Sequence, residues 1–471
     1  MQDGDKQQAN FTILHLLKDA VRSIDNLQEY YDFQLRNLKR RIKKDLPKYK
    51  YGMALQHYLL AKVYPTDVPE MSENEKKLVD SILDESEVNK TDEGIRVTFA
   101  LKDVDRLQDK YELNPIIATE KVWGLLKQPD ALNESTLMLL LVKYEEAIFG
   151  AFEFLIKNYP DAYFKEKNIS YSELLSLGED MTRIRQYLVD KEIDELMRMP
   201  LSSWYKNFSD KHKVNISFNN NEFDEFKEIY YRRNIVVHHK GIVNDAYIKN
   251  VVNTDAKSGD KLPVTEKYIM KSFTILLIIL YETFWELRKV EKQSDNEFNV
   301  FVFEQGYNYM VEKQWKLSKF IFEMMLRDKE QTSADLICEK INYWISIKNS
   351  EGLDNIRNEI DCLDVSAMQK RFWVAKYALL DDFKGISDIL EHEINKEIMS
   401  NEVLEWPLFL QYRNSEEYKE FIDKHKDIFR IKGYDTSNES VNNTRNMILE
   451  VEGNIDFLDC ENNNTKSKGS I

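Results

Sequence analysis

Residues 232–241 read RRNIVVHHKG and gather two arginines, an asparagine and two histidines around an Ile-Val-Val centre. The chain has 7 histidines, and only here are two adjacent. Histidine changes charge near neutrality; arginine is a permanent cation with a planar fork that matches phosphate. Together these residue types suit cleavage of a phosphodiester in RNA, which carries its own nucleophile in the 2′-hydroxyl. His238 can take that proton or protonate the leaving 5′-oxygen. Arg233 can hold the phosphate and stabilise the extra charge of the transition state. Asn234, one turn before His238, can orient its imidazole and select the tautomer. His239 also fits as the histidine, but Ile235 lies one turn before it and cannot orient a ring, so His238 is preferred. Arg232, His239, Lys240 and Tyr247 are further candidates for contact with RNA. This chemistry requires no metal and no cofactor, and the chain has no acidic or Cys/His cluster at ligand spacing. A Walker loop, a G-x-G-x-x-G, a G-x-S-x-G elbow and a nucleotidyltransferase pattern are all missing from the sequence.

The element that must carry these groups is a helix over about 222–240. Asn220 or Asn221 is a natural N-cap, Glu222, Asp224 and Glu225 suit the positive start, and Gly241 is a natural stop. At ~100° per residue, Phe226, Ile229, Tyr230, Arg233 and Val237 share one face. Arg233 and His238 are then ~140° apart around the axis, so one helix does not aim both at one small target. Two such helices about a two-fold axis line one cleft with two arginines and two histidines, which predicts a homodimer with a composite site. The macrodipole alone also favours Arg and His near a helix C-terminus, without any chemistry.

The rest of the chain bounds what this helix belongs to. At 471 residues, two to four domains are expected. Only 9 prolines and 14 glycines predict few turns and long helices. A net charge of −16 argues against a nonspecific nucleic-acid coat, though not against a local basic site. Residues 36–50, RNLKRRIKKDLPKYK, form a second basic cluster, readable as a solvated helix face or as phosphate contact. The polar start predicts no signal peptide. The most apolar run, 273–285, contains Glu282 and predicts a buried helix, not a membrane span. Cys338, Cys362 and Cys460 fit neither a zinc pattern nor a disulfide framework, so a cytoplasmic location is expected.

Along the chain, Ile13, Leu14, Leu17, Ala20, Val21, Ile24, Leu27 and Tyr31 recur at helical steps, predicting a helix over 11–46 ended by Pro47. Residues 66–94 predict a connection with one helix, and IRVTFAL, 95–101, a short strand. No function attaches to this mainly helical region, 1–129. A second block, 130–297, predicts helices from Asn133 or Ser135 to before Pro160, from Tyr171 to Met199, over 222–240, and from Thr265 to Val290. Four or five helices in this length make an all-α bundle.

In this setting the block resembles the HEPN superfamily. Its ribonuclease members carry Arg, a polar residue that is often Asn, a few residues and then His, on a late helix of an all-α bundle. RNIVVH, 233–238, matches that pattern, and HKGIVNDAYIK continues it with Gly241 and Tyr247. The resemblance implies dimerisation, with two motifs building one metal-independent endoribonuclease site. It also implies an upstream acidic residue, for which KYEEAIF offers Glu145 or Glu146.

A third block, 298–430, repeats. Tyr309, Tyr343 and Tyr377 are 34 residues apart, as are Phe322, Ile356 and Leu390. Ser318 and Gly352 keep the step, Gly385 misses it by one, and Gly306 lies three before Tyr309. This period resembles tetratricopeptide repeats, about three units of paired helices. From Asp435 the chain is rich in Asn, Ser and Asp, and 431–471 reads as a mostly disordered tail in which MILEVEGNIDFL could fold on a partner. The expected whole is an all-α dimer: a HEPN-like bundle followed by helical-hairpin repeats that bind a protein regulator or a phage trigger, in bacterial defence or as a toxin. Its rival is a non-enzymatic helical adaptor for a protein partner or a nucleotide.

Overall fold

The computed structural model describes residues 12–429, apart from 92–93, 109–110, 166, 179, 217, 219, 253, 292–295 and 329–332. The expected tail, 431–471, lies outside the described residues. The chain is predominantly helical, with one two-stranded sheet among the described residues. It divides into two units, Met1–Gln293 and Ser294–Ile471. The second boundary is close to the expected 297/298, but 129/130 falls within a helix, and the first two expected blocks form one unit.

That unit begins with α1 (Ile13–Asp45), capped by Thr12, whose hydroxyl accepts from the His15 N–H at 3.2 Å. Of its apolar residues at steps of three and four, Ile13, Leu14, Leu17, Ala20, Val21, Ile24, Tyr31 and Leu35 are buried and Leu27 is half-buried. A single turn of 3-10 helix carrying Pro47 ends it, and the chain goes on into α2 (Lys50–Val63) and α3 (Glu73–Ile82). The strand predicted at 95–101 is β2 (Gly94–Leu101), and it has an antiparallel partner, β1 (Leu83–Thr91), in register Val88↔Val97. β1, LDESEVNKT, has too little apolar alternation to be read as a strand; its ladder with β2 defines it.

After α4 (Val104–Gln108) comes α5 (Pro115–Asn158), 44 residues long. Its cap is Asn114, whose side chain accepts from the N–H groups of Ile116 and Ile117. Neither Asn133 nor Ser135 starts it. Asn133 is buried mid-helix, accepting from the Tyr31 hydroxyl at 2.8 Å and donating to the Val264 carbonyl at 2.9 Å. It thus joins α1, α5 and the segment before the last helix of the unit. Pro129 removes one hydrogen bond without ending α5, because buried residues flank it on both sides, from Ala118 to Leu125 and from Leu137 to Ile156.

Short α6 (Pro160–Phe164) follows. The single helix expected over 171–199 is two, α7 (Tyr171–Leu177) and α8 (Met181–Met197), broken where Gly178 takes φ 71°. The aromatic α9 (Leu201–His212) packs on α5, with Phe208 stacked on Phe152 at 4.1 Å between centroids. Then come α10 (Asn220–His239), α11 (Asp245–Asn250) and α12 (Glu266–Glu291). α12 is long and apolar enough to cross a membrane, but 78% of its most apolar window is buried against the other helices, as expected of a core helix.

The second unit is a series of helices: α13 (Asn296–Val311), α14 (Trp315–Leu326), α15 (Ser333–Ser350), α16 (Arg357–Asp361), α17 (Lys370–Leu379), α18 (Phe383–Glu393), α19 (Ser400–Glu405) and α20 (Glu416–Lys424). Phe322, Ile356 and Leu390, one period apart, are all buried. Gly306 allows α13 close to α14: a Cβ there would lie 2.9 Å from Ile321 Cγ2. Ser318 is buried and hydrogen-bonded to Ser346 at 2.9 Å. Gly352 keeps the 34-residue step but serves differently, at φ 96° in the turn after α15, and the helix that follows, α16, has only five residues. Of the tyrosines at the same period, Tyr309 is buried, while Tyr343 and Tyr377 are half-buried.

Candidate active site

The N-terminal half of α10 is anchored by Phe226 and Ile229, both buried, with Phe226 edge-on to Tyr144 of α5 at 4.9 Å. Its last turn is anchored by Ile235, buried among Val243, Tyr247 and Val251. The helix stops as expected before Gly241. Lys240 (φ 55°) and Gly241 (φ 77°) turn left-handed, and the Gly241 N–H returns to the Ile235 carbonyl at 3.0 Å. The Leu262 N–H then bonds the Gly241 carbonyl at 2.9 Å, pinning this end to the segment that leads into α12. A Cβ on Gly241 would meet that Leu262 region 3.3 Å away with strained backbone. Gly241→Ala is therefore expected to destabilise the unit by about 1 kcal/mol or more, read as the midpoint of urea unfolding; an unchanged midpoint would refute the role of the left-handed turn.

His238, His239 and Lys240 all emerge exposed at this end. Val237, placed on the same face as Phe226 and Ile229, is 47% exposed. Arg233 is half-buried one to two turns back. Its Nη2 reaches Glu145 Oε1 at 2.5 Å, and its guanidinium lies 5.1 Å from the Tyr230 ring centre. Of the two acidic candidates Glu145 is thus the one in contact with Arg233, while Glu146 pairs with Lys143, at 2.8 Å, on the exposed side of α5. A guanidinium has five N–H donors, so Arg233 can be held by Glu145 and still bind an anion. Asn234 is half-buried, and among the described residues it has no hydrogen bond to either histidine. The orienting contact expected from the one-turn spacing is not made here, since the imidazole of His238 stands free in solvent.

Two of the candidate RNA contacts are committed to the interior. Tyr247 is buried, and its hydroxyl donates to Glu228 Oε1 at 2.6 Å. Arg232, with a side chain 12% exposed, pairs with the same carboxylate at 2.7 Å, donates to the Pro263 carbonyl at 3.2 Å and lies 4.7 Å from the ring centre of Tyr268. Tyr268 completes the cluster, donating to Glu228 Oε2 at 2.8 Å. Burial works against the charge of Arg232, but Tyr268 and Glu228 outweigh it and hold its pKa above the ordinary value. Burial, then the charge of Glu228, push the Tyr268 hydroxyl well up. The sequence reading missed Glu228 and Tyr268; Glu228 stands four residues before Arg232, a spacing that signals an ion pair on a helix.

The exposed set is thus His238, His239 and Lys240, with Asn234 and Arg233 behind them and Glu145 holding Arg233. No protein-family model matches the chain, and no match to it emerges among curated proteins or solved structures.

Proposed function

We propose that this protein is a metal-independent endoribonuclease of HEPN type, working as a homodimer whose two α10 ends form one composite cleft. The observation that carries this reading is the pairing of Arg233 with Glu145. It holds a cation at fixed direction beside a helix end that presents His238 to solvent, and Arg and His do not touch within one protomer. A second copy brings the missing partner. Val237 and Ile242, which flank the histidine pair, are exposed apolar groups suited to that contact.

In the proposed reaction the 2′-hydroxyl attacks phosphorus, its proton leaves to a histidine, and the 5′-oxygen departs with a proton from a histidine. Arg233 neutralises the charge that builds on the non-bridging oxygens. The products are a 2′,3′-cyclic phosphate and a 5′-hydroxyl. The repeats of the second unit resemble tetratricopeptide repeats and would present a protein-binding, regulatory surface. A role in phage defence or as a toxin is what the HEPN resemblance implies.

Mixing variants tests the composite site. Arg233→Ala and His238→Ala homodimers should each be nearly inactive. Mixed dimers should regain a sizeable share of activity, since one cleft keeps an arginine from one protomer and a histidine from the other. A monomer that cuts RNA, or mixed dimers as inactive as their parents, would refute the shared cleft. Absence of RNA cleavage in the wild type would favour the adaptor.

A further inference from the structure

The basic cluster of α1 is not used by the proposed site, yet its geometry is specific. With Arg36 as the origin, Lys43, Arg36, Arg40, Phe33 and Lys44 fall within an arc of roughly 100° on the helix. The buried Ile24, Tyr31 and Leu35 fall on the opposite side. From Phe33 to Lys44 this ridge runs about 17 Å. All five side chains are exposed, Phe33 at 55%, and Tyr30 beside them is 56% exposed. Among the described residues Arg40, Lys43 and Lys44 have no ion-pair partner, whereas Arg41 and Lys48 share Asp45. The C-terminal macrodipole accounts for cations in the last turn of α1. It does not account for an exposed aromatic, Phe33, three turns earlier in line with them.

Lys39, beside the ridge and mid-way along it, links α1 to the chain that leads from the candidate site: it pairs with Glu266 at 2.6 Å, and Leu262, four residues before Glu266, is hydrogen-bonded to Gly241 at the end of the histidine helix. Four residues of chain span at most about 14 Å.

We infer that the exposed ridge of α1, Phe33 with Arg36, Arg40, Lys43 and Lys44, is a docking track for single-stranded RNA that continues into the cleft at His238. Cations in a row take successive phosphates, and an aromatic among them gives an unpaired base a surface to stack on. In a chain of net charge −16 the track is local, so it orients the strand instead of coating the protein. As a track for substrate this rests on the ribonuclease reading; as an RNA-binding surface it stands separately.

The test uses full-length His238→Ala protein and a labelled single-stranded oligoribonucleotide, with binding followed by fluorescence polarisation across a salt series. Adding Arg40→Glu, Lys43→Glu and Lys44→Glu should weaken binding at least tenfold. It should also flatten the slope of log affinity against log salt by about 2, from three contacts at ~0.7 each. Phe33→Ala should weaken binding roughly tenfold with the slope unchanged. In protein that retains His238, the triple variant should raise KM for a long RNA and leave cleavage of a dinucleoside monophosphate unchanged. Unaltered RNA affinity and slope in a folded triple variant would overturn the inference. So would a wild type that binds vesicles containing phosphatidylserine but not RNA. Single charge reversals serve if the triple variant does not fold. RNA binding through α1 without any cleavage would sink the ribonuclease reading and leave the docking track standing.

Discussion

Replacing His238 by alanine is expected to lower RNA cleavage by roughly 10²–10⁴, the range for loss of a general acid or base. His239→Ala should cost far less. The two histidines are neighbours on α10 and both are exposed, so solvent access does not separate them. What separates them is the residue one turn back on the helix. Asn234 lies one turn before His238 and can swing to its ring when substrate orders the site, a tightening common in catalytic hydrogen bonds. Ile235 lies one turn before His239 and is buried in the core, so it offers no such partner. Arg233→Ala should also cost heavily through the lost phosphate contact. The measurement is cleavage of a defined RNA in EDTA, with product ends identified and each variant checked by circular dichroism. Equal losses from the two histidine variants would remove the distinction, and full activity in His238→Ala would remove the assignment. An absolute requirement for a divalent metal, or 3′-hydroxyl ends, would remove the mechanism.

The second large effect is on stability. Glu228→Ala should destabilise the first unit by about 3–5 kcal/mol, because it leaves a largely buried cation without its partner. The carboxylate of Glu228 receives Arg232, the Tyr247 hydroxyl and the Tyr268 hydroxyl within 2.6–2.8 Å. Its removal strands all three at once, and the two tyrosines hold α11 and α12 against α10. A double variant, Glu228→Leu with Arg232→Met, should regain much of the loss, since apolar replacements of both partners avoid the stranded charge. Urea unfolding followed by circular dichroism measures both. A cost below about 1 kcal/mol for Glu228→Ala would show that water reaches Arg232 freely. The double variant should also still cleave RNA, which separates a structural Arg232 from one that grips substrate. Loss of cleavage in a folded, stable double variant would return Arg232 to the substrate.

Local pattern was informative where it acts over a turn or two or through an unbroken apolar run. α1 lies close to where its periodicity put it, the apolar run of α12 is the buried helix it predicted, and α10 ends at the glycine that its left-handed turn requires. The pattern failed where the deciding contact is distant in sequence. β1 is polar and charged, and exists through its ladder with β2. Asn133, one of the two residues read as the cap of α5, instead bridges Tyr31 and Val264, while the true start has a local signal that was passed over, Asn114 followed by Pro115.

The sequence by itself determined the all-α class, the helix that carries Arg233, Asn234 and His238, and the residue types available for chemistry there. These depend on 3.6-residue periodicity, capping and intrinsic side-chain chemistry, which act over one or two turns. Tertiary structure alone decided which polar groups are spent inside. Arg232 and Arg233 are adjacent and identical in type, yet one is locked to Glu228 and two tyrosines while the other is held by Glu145 across to α5. Tyr247 is drawn into the same interior cluster. Helix rotation sends neighbouring side chains ~100° apart; Glu228 lies one turn before Arg232 on α10 itself, but the tyrosines that close over that pair and the Glu145 that takes Arg233 come from the elements packed around α10.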